Sequence, residues 1–378
     1  MRLAVLLLAA TPLAAQEPRA DLATAAKTGV ILDAYSFGSG FAFHNVVEWT
    51  VPVTVSQHLG PRLTVDLSAA FARASGATTS GTFQASGFTD TDVRASWATV
   101  SGHLIVSVAG TLPTGQATVP DSTVPLLSAL ATDLLAFTTP TLGTGGGATG
   151  GFATAMRLGE RWAGGVAASY RWHAGYTPVS GGGRLEPGGE VRVRLGVEGP
   201  LGAGGGGYLR AAAVYTTSGA DTTASSAATP SGSRSGIGDR ILVYSSVSLP
   251  AGASSLVFYG YDMYRLRPHG LTAADSNTVE VPRGNVFALG ARLERTLSPA
   301  LGLAPNVEFR SELTGASVGS LTLLGWIVRP GVDLRYRASG SVTLLVQGQT
   351  AFGRLADGKG GSVALVGPRA VVLVDWSR

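Results

Sequence analysis

The stretch Glu190-Val191-Arg192-Val193-Arg194-Leu195-Gly196-Val197-Glu198 decides the fold. Successive side chains of an extended strand point to opposite faces, so Val191, Val193, Leu195 and Val197 share one side and Glu190, Arg192, Arg194 and Glu198 the other. One face is wholly aliphatic and the other almost wholly charged. A strand buried in an ordinary soluble core does not look like this. A strand with hydrocarbon on one side and a polar interior on the other does.

The same two-sidedness recurs along the chain. Leu104, Val106, Val108, Gly110 and Leu112 alternate with His103, Ile105, Ser107, Ala109 and Thr111 before Pro113 breaks the run. Val166, Ala168, Tyr170 and Trp172 oppose Ala167, Ser169, Arg171 and His173. Such segments fall at 29–37, 46–55, 62–71, 88–99, 104–112, 148–158, 166–173, 190–198, 208–216, 240–249, 256–265, 285–296, 303–313, 321–337, 342–352 and 363–376. Most are about 9 to 12 residues, the length that crosses a bilayer at a tilt. The connections alternate as well. Short Gly, Pro and Ser turns (Leu59-Gly60-Pro61, Gly159-Glu160-Arg161, Ala338-Ser339-Gly340) occupy every second junction, and long polar stretches (Ala74 to Gly87, Gly175 to Gly189, Ser218 to Gly238, Pro268 to Arg283) occupy the others.

These observations predict an all-β fold: a transmembrane up-and-down antiparallel β-barrel of about 16 strands, with 14 as the alternative. Its short turns would be periplasmic and its long loops external. The loop at 114–147 predicts one short helix over 122–137, with Leu126, Leu127, Leu130, Leu134 and Leu135 at helical spacing. That stripe must be buried, and the barrel mouth or lumen is where it can go. It is the candidate constriction.

Composition agrees. The 378 residues include 53 glycines, no cysteine and 14% charged residues, with a formal charge of +4 and a mean hydropathy of +0.25. No apolar run reaches the roughly 18 residues of a membrane helix, so a barrel is the way to reconcile apolar composition with export. Arg2, the apolar run Leu3 to Ala10 and Leu13-Ala14-Ala15 predict a cleaved signal peptide over 1–15. A periplasmic lead-in at 16–27 and a barrel over 28–378 would follow. Without cysteine there are no disulfides and no metal–thiolate site.

With the aliphatic parity facing lipid, Arg62, Asp66, Arg94, Arg171, Glu190, Arg192, Arg194, Glu198, Arg292, Glu294, Glu308, Arg310 and Arg335 become candidate channel-wall residues. They would line a water-filled path, or pair across strands and fill the barrel. Tryptophans near strand ends read as interfacial girdles. The segment from Phe258 to Tyr264 is denser in aromatics than a girdle requires, and could line an aromatic-tolerant path. Enzyme chemistry is poorly supported: five scattered histidines have no metal-ligand spacing. Ser169 with His173 and Asp262 with His269 are pairs lacking a third member. No cofactor is expected, and the modest charge argues against nucleic acid.

Gly87-Phe88-Thr89-Asp90, Leu112-Pro113-Thr114-Gly115 and Gly143-Thr144-Gly145 before a glycine-rich strand carry a family likeness. Over residues 45–200 the chain resembles the outer-membrane channels associated with phenol and meta-cleavage degradation pathways. That family is itself similar to the long-chain fatty-acid and aromatic-hydrocarbon transporters. The resemblance implies a bacterial outer-membrane channel for passive uptake of small, hydrophobic or aromatic solutes. Its partners would be outer-membrane lipid, the solute and the barrel-assembly machinery, with the oligomeric state open. Family barrels end in an aromatic residue, whereas here Trp376 is followed by Ser377-Arg378. A filled structural barrel, or an outer-membrane lipid-processing enzyme, is the alternative.

Overall fold

The computed structural model describes residues 23–99, 101–202, 206–224, 233–235, 238–266, 284–317, 320–357 and 359–378. The signal-peptide segment and His269 lie outside them. Sixteen antiparallel strands form the wall: β1 (Thr24–Phe37), β2 (Asn45–His58), β3 (Leu63–Thr78), β4 (Gly81–Phe88 continued by Thr91–Ala98), β5 (Leu104–Leu112), β6 (Gly147–Leu158), β7 (Trp162–His173) and β8 (Glu190–Leu201). The second half comprises β9 (Gly207–Ser218), β10 (Arg240–Ala251), β11 (Ser254–Arg265), β12 (Gly284–Ser298), β13 (Leu301–Ser317), β14 (Ser320–Arg337), β15 (Val342–Ala356) and β16 (Ser362–Ser377). Every strand pairs with its sequence neighbours. β16 returns to β1 from Ala25↔Ser377 to Phe37↔Leu365, so the sheet is closed.

Closure satisfies every ladder edge and leaves two faces, one inward and one outward. The outward face is apolar: Val108 is 62% exposed, Leu195 55% and Phe152 48%, values that would be anomalous against water. All six tryptophans take the outward parity. Trp49, Trp172 and Trp326 lie toward the long-loop end, and Trp97, Trp162 and Trp376 toward the short-turn end, as girdles at two interfaces require.

Three local features differ from the sequence expectation. β1 begins at Thr24 rather than Gly29, inside the stretch read as lead-in. Ala74 to Gly87 is not an external loop: β3 and β4 run on as a hairpin to the turn at Thr79-Ser80, from Thr78↔Gly81 downward. Its small side chains have no strong alternation to announce a strand, because the inward ones are pressed close to the internal segment. A Cβ on Gly76 would lie 2.8 Å from the Phe43 ring and 3.0 Å from Leu126 Cδ1. Third, β4 carries one residue more than β3 between the pairs Phe71↔Phe88 and Ser68↔Asp92. This bulge at Thr89-Asp90 switches the inward parity of β4 from odd to even. Pro52 stays within β2, at a lapse in the β1–β2 ladder between Thr28↔Val53 and Ile31↔Thr50, where its missing N–H is not needed.

Candidate channel and its internal segment

The connection between β5 and β6 folds inward and packs on one side of the lumen. It carries a 3₁₀ turn (Asp121–Thr123) and a helix α1 (Val124–Leu130). Leu126, Leu130, Leu134 and Leu135 are at most 2% exposed. They join Phe137 and Leu142 in a core built with Tyr35 and Phe37 of β1, Val46 of β2, Ala72 and Ala74 of β3, Ala85 of β4, Ile327 of β14, Ala351 and Leu355 of β15, and Val363 and Leu365 of β16. Leu127 packs beside it, partly buried. The leucine stripe therefore faces the wall, and it glues the segment in place instead of lining a path.

The helix is also shorter than its apolar periodicity predicts. It ends at Leu130: the Ala131 and Thr132 N–H groups still bond back to the Leu127 and Ala129 carbonyls at 2.9 and 3.2 Å, and beyond them the backbone is also held by the wall. The Leu134 N–H donates to Glu312 Oε2 at 3.0 Å, while the Leu135 carbonyl accepts from Arg329 Nη2 at 2.6 Å and the Tyr35 hydroxyl at 2.9 Å. Ala136 takes a left-handed φ of 49°. Arg310 Nη1 donates to the Asp133 carbonyl at 3.2 Å, and Arg265 pairs with the Asp133 carboxylate. On the other flank the Thr138 hydroxyl donates to Asp33 Oδ2 at 2.9 Å and the Thr139 N–H to Glu48 Oε1 at 2.8 Å. Arg369 closes on Asp33 at 2.9 Å. The segment is thus clamped from β1 and β2 on one side and from β11, β13 and β14 on the other.

Its two feet are tied by one carboxylate. Asp90 Oδ1 accepts the Gly115 N–H at 3.0 Å and Oδ2 the Thr144 N–H at 2.6 Å. Gly115 has no room for a Cβ, which would run into the Leu142 carbonyl and the Asp90 amide. The three short motifs that carry the family likeness therefore meet at one knot. Gly115 and Gly143 are explained by close backbone approach and Gly145 by its φ of 80°; Asp90 is explained by the two amides it binds.

The apolar core includes no residue of β5 to β10, and there, as toward the short-turn ends of β3 and β4, the wall remains polar. Arg94 pairs with Asp66 at 2.8 Å, Arg192 with Glu190 at 2.7 Å and Arg210 with Glu198 at 3.0 Å. Arg240 reaches Glu190 at 3.0 Å. Arg194 lies over the Tyr244 ring at 5.3 Å. Across the lumen Arg310 and Arg329 share Glu308 at 2.9 and 3.3 Å, and Arg292 bridges Glu294 and Asp333 at 3.4 and 3.3 Å. Asn306 and Gln347 donate to the same Asp333 oxygen, at 3.1 and 2.8 Å.

Most of the residues expected in the wall thus stand on inward parity and in ion pairs, within a strand or across two; Arg171 stands on inward parity with no carboxylate in ion-pair range among the described residues. Arg62 differs: it is exposed in the turn before β3, where its carbonyl accepts the Ala98 N–H at 2.9 Å. Arg335 is exposed near the short-turn end of β14. Asp33, Arg329 and Arg369, which clamp the internal segment, were not anticipated. Arg329 shares the parity of Asp333 and Arg335, so extending that alternation one turn up the strand finds it. Of the aromatic run, Tyr259 and Tyr261 face inward, with Arg310 5.8 Å from the Tyr261 ring, and Phe258 and Tyr264 face out. Ser169 and His173 face inward on β7, whereas Asp262 stands on the outward parity of β11, so these residues share no site.

No family model and no curated protein sequence matches the chain. Solved structures with a similar outline include OccAB3 of Acinetobacter baumannii (8% identity, TM-score 0.48, covering 94% of this chain and 98% of that one). OccK5 (OpdH) of Pseudomonas aeruginosa has 11% identity and a TM-score of 0.45 over 94% and 98%. The outer membrane protein OpdK of the same species has 13% identity and a TM-score of 0.41 over 93% and 99%.

Proposed function

We propose that the protein is an outer-membrane channel for passive uptake of small solutes, hydrophobic and aromatic ones included. One observation carries the reading. The internal segment is fastened to one half of the lumen wall by an apolar core, and the facing half keeps its arginines, carboxylates and tyrosines turned to the remaining space. A barrel built only as a scaffold gains nothing from that division, whereas a channel gains a narrowed polar path. In this reading the apolar exterior and its two tryptophan girdles place the strands across the bilayer, with the short turns periplasmic. Inward Tyr244, Tyr259 and Tyr261 offer ring faces beside guanidinium groups to a planar solute.

The cross-strand ion pairs favour a second reading, a filled barrel whose loops serve as the contact surface. Proteoliposome swelling separates the two. Vesicles holding the protein should swell in isosmotic small solutes, with rates falling steeply as solute size grows. Vesicles that swell no faster than protein-free ones would establish the filled barrel.

A further inference from the structure

At the long-loop end of the lumen, four basic side chains converge on a single carboxylate. Arg171 and His173 lie on β7, Glu190 and Arg192 on β8 and Arg240 on β10, all on inward parity. Register brings them together: Arg171 stands opposite Glu190, Arg192 opposite Thr216, and Thr216 opposite Arg240. Glu190 is 2% exposed, His173 4% and Arg240 7%. The Glu190 carboxylate is already engaged at both oxygens, Oε1 by Arg192 at 2.7 Å and Oε2 by Arg240 at 3.0 Å. Arg171, directly across from it, has no carboxylate within ion-pair range among the described residues.

Donors are left over. Nε of Arg171, Arg192 and Arg240 and Nε2 of His173 are buried and have no hydrogen-bond partner among the described residues. Charge is left over too. Three guanidinium groups meet one carboxylate here. Among the described residues the further acids at this end are Asp221 in the loop after β9, whose Oδ1 takes the Gly188 N–H at 2.8 Å, Glu186, paired with Arg184 at 2.6 Å, and Asp239, which accepts from the Tyr215 hydroxyl; Arg194 adds another cation one rung deeper. Buried polar groups are ordinarily satisfied, and buried charges ordinarily paired. A surplus of both on neighbouring rungs suits an anion. Guanidinium forks match the planar or tetrahedral oxygens of carboxylate and phosphate.

We propose that Arg171, Arg192, Arg240 and His173 form a binding site for a small oxyanion, the carboxylate or phosphate group of a solute, just inside the long-loop mouth of the barrel. The site deepens the channel reading by naming the group that a permeating solute presents first. Thr216, 4% exposed between Arg192 and Arg240, closes the floor.

The test uses the full-length protein in detergent, titrated at constant ionic strength with sodium acetate or inorganic phosphate against a chloride control. Thermal unfolding midpoint and tryptophan fluorescence are the readouts, Trp172 being the neighbour of both β7 ligands. A saturable response to either anion, weakened at least tenfold in Arg171→Gln and partly kept in Arg171→Lys, supports the site. The anion that saturates identifies the group. A response no larger than chloride gives, or one undiminished in Arg171→Gln, overturns it. Arg171 has no ion-pair partner among the described residues, so Arg171→Gln should unfold like the parent protein without anion, and His173→Asn provides a second variant. Bilayer conductance is recorded on the same preparations. Conduction without anion binding removes the site and keeps the channel, and binding without conduction does the reverse.

Discussion

Arg329 does the work of several contacts at once. Its guanidinium donates to the Leu135 carbonyl, to the Tyr35 hydroxyl at 2.7 Å and to Glu308 at 3.3 Å, all in a buried setting. Arg329→Met would leave a buried carbonyl with one donor and Glu308 with Arg310 alone. Removing one partner of a buried, hydrogen-bonded ion pair destabilises by about 3–5 kcal/mol, so thermal unfolding in detergent should shift downward clearly. Tyr35→Phe removes a single hydrogen bond and should lower stability by only about 1 kcal/mol. Equal effects of the two substitutions would mean that Arg329 does not clamp the segment. At this scale the sequence was legible as parity. Glu190, Arg192, Glu308 and Arg310 are placed inward by simple alternation, and so, had it been extended, are Asp33, Arg329 and Arg369. What alternation cannot supply is the partner. That Leu135 of a distant loop lies on Arg329 follows only from the folded wall.

Among elements, the internal segment and the knot at its feet decide the shape of the lumen. Asp90 sits in the β4 bulge and ties Gly115 to Thr144 by two charge-assisted bonds. Asp90→Ala removes both. Each such bond contributes roughly 1.5–3 kcal/mol when its acceptor is charged, but the loss is local, because the segment keeps its leucine core and its clamps. Amide hydrogen exchange at 113–120 and 140–146 should therefore quicken markedly while exchange at 124–137 changes little. Uniform acceleration across the whole segment would show that Asp90 holds up the core as well. The helical leucine pattern announced this segment, but not its direction of burial or its early end. Leu126 and Leu134 have the spacing of a helix whether they face a path or a wall. The groups that hold the backbone just beyond the helix, Glu312, Arg329 and Tyr35, are far away in sequence. The β3–β4 hairpin was hidden for a related reason, since Ala72, Ala74, Gly76 and Ala85 are small to admit Phe43 and Leu126, and small residues carry no strand signal.

For the whole molecule, the governing fact is that the sheet closes on itself with its apolar side outward. Leu195, at the middle of β8, stands between Val166 and Ala213 on that face. Leu195→Arg should destabilise the barrel in lipid by about 2–4 kcal/mol, the range for a basic residue at the bilayer midplane of a barrel. The cost should fall to about 0–1 kcal/mol for an outward basic residue near a strand end, so the depth dependence reads out where the face lies. The most direct test of the account is single-channel current in a planar bilayer, comparing the intact protein with a variant in which residues 121–137 are replaced by a short glycine–serine linker. A closed barrel narrowed by a wall-fastened segment predicts discrete steps for the intact protein and steps several-fold larger for the variant. Silence from both, or equal step sizes, would contradict it.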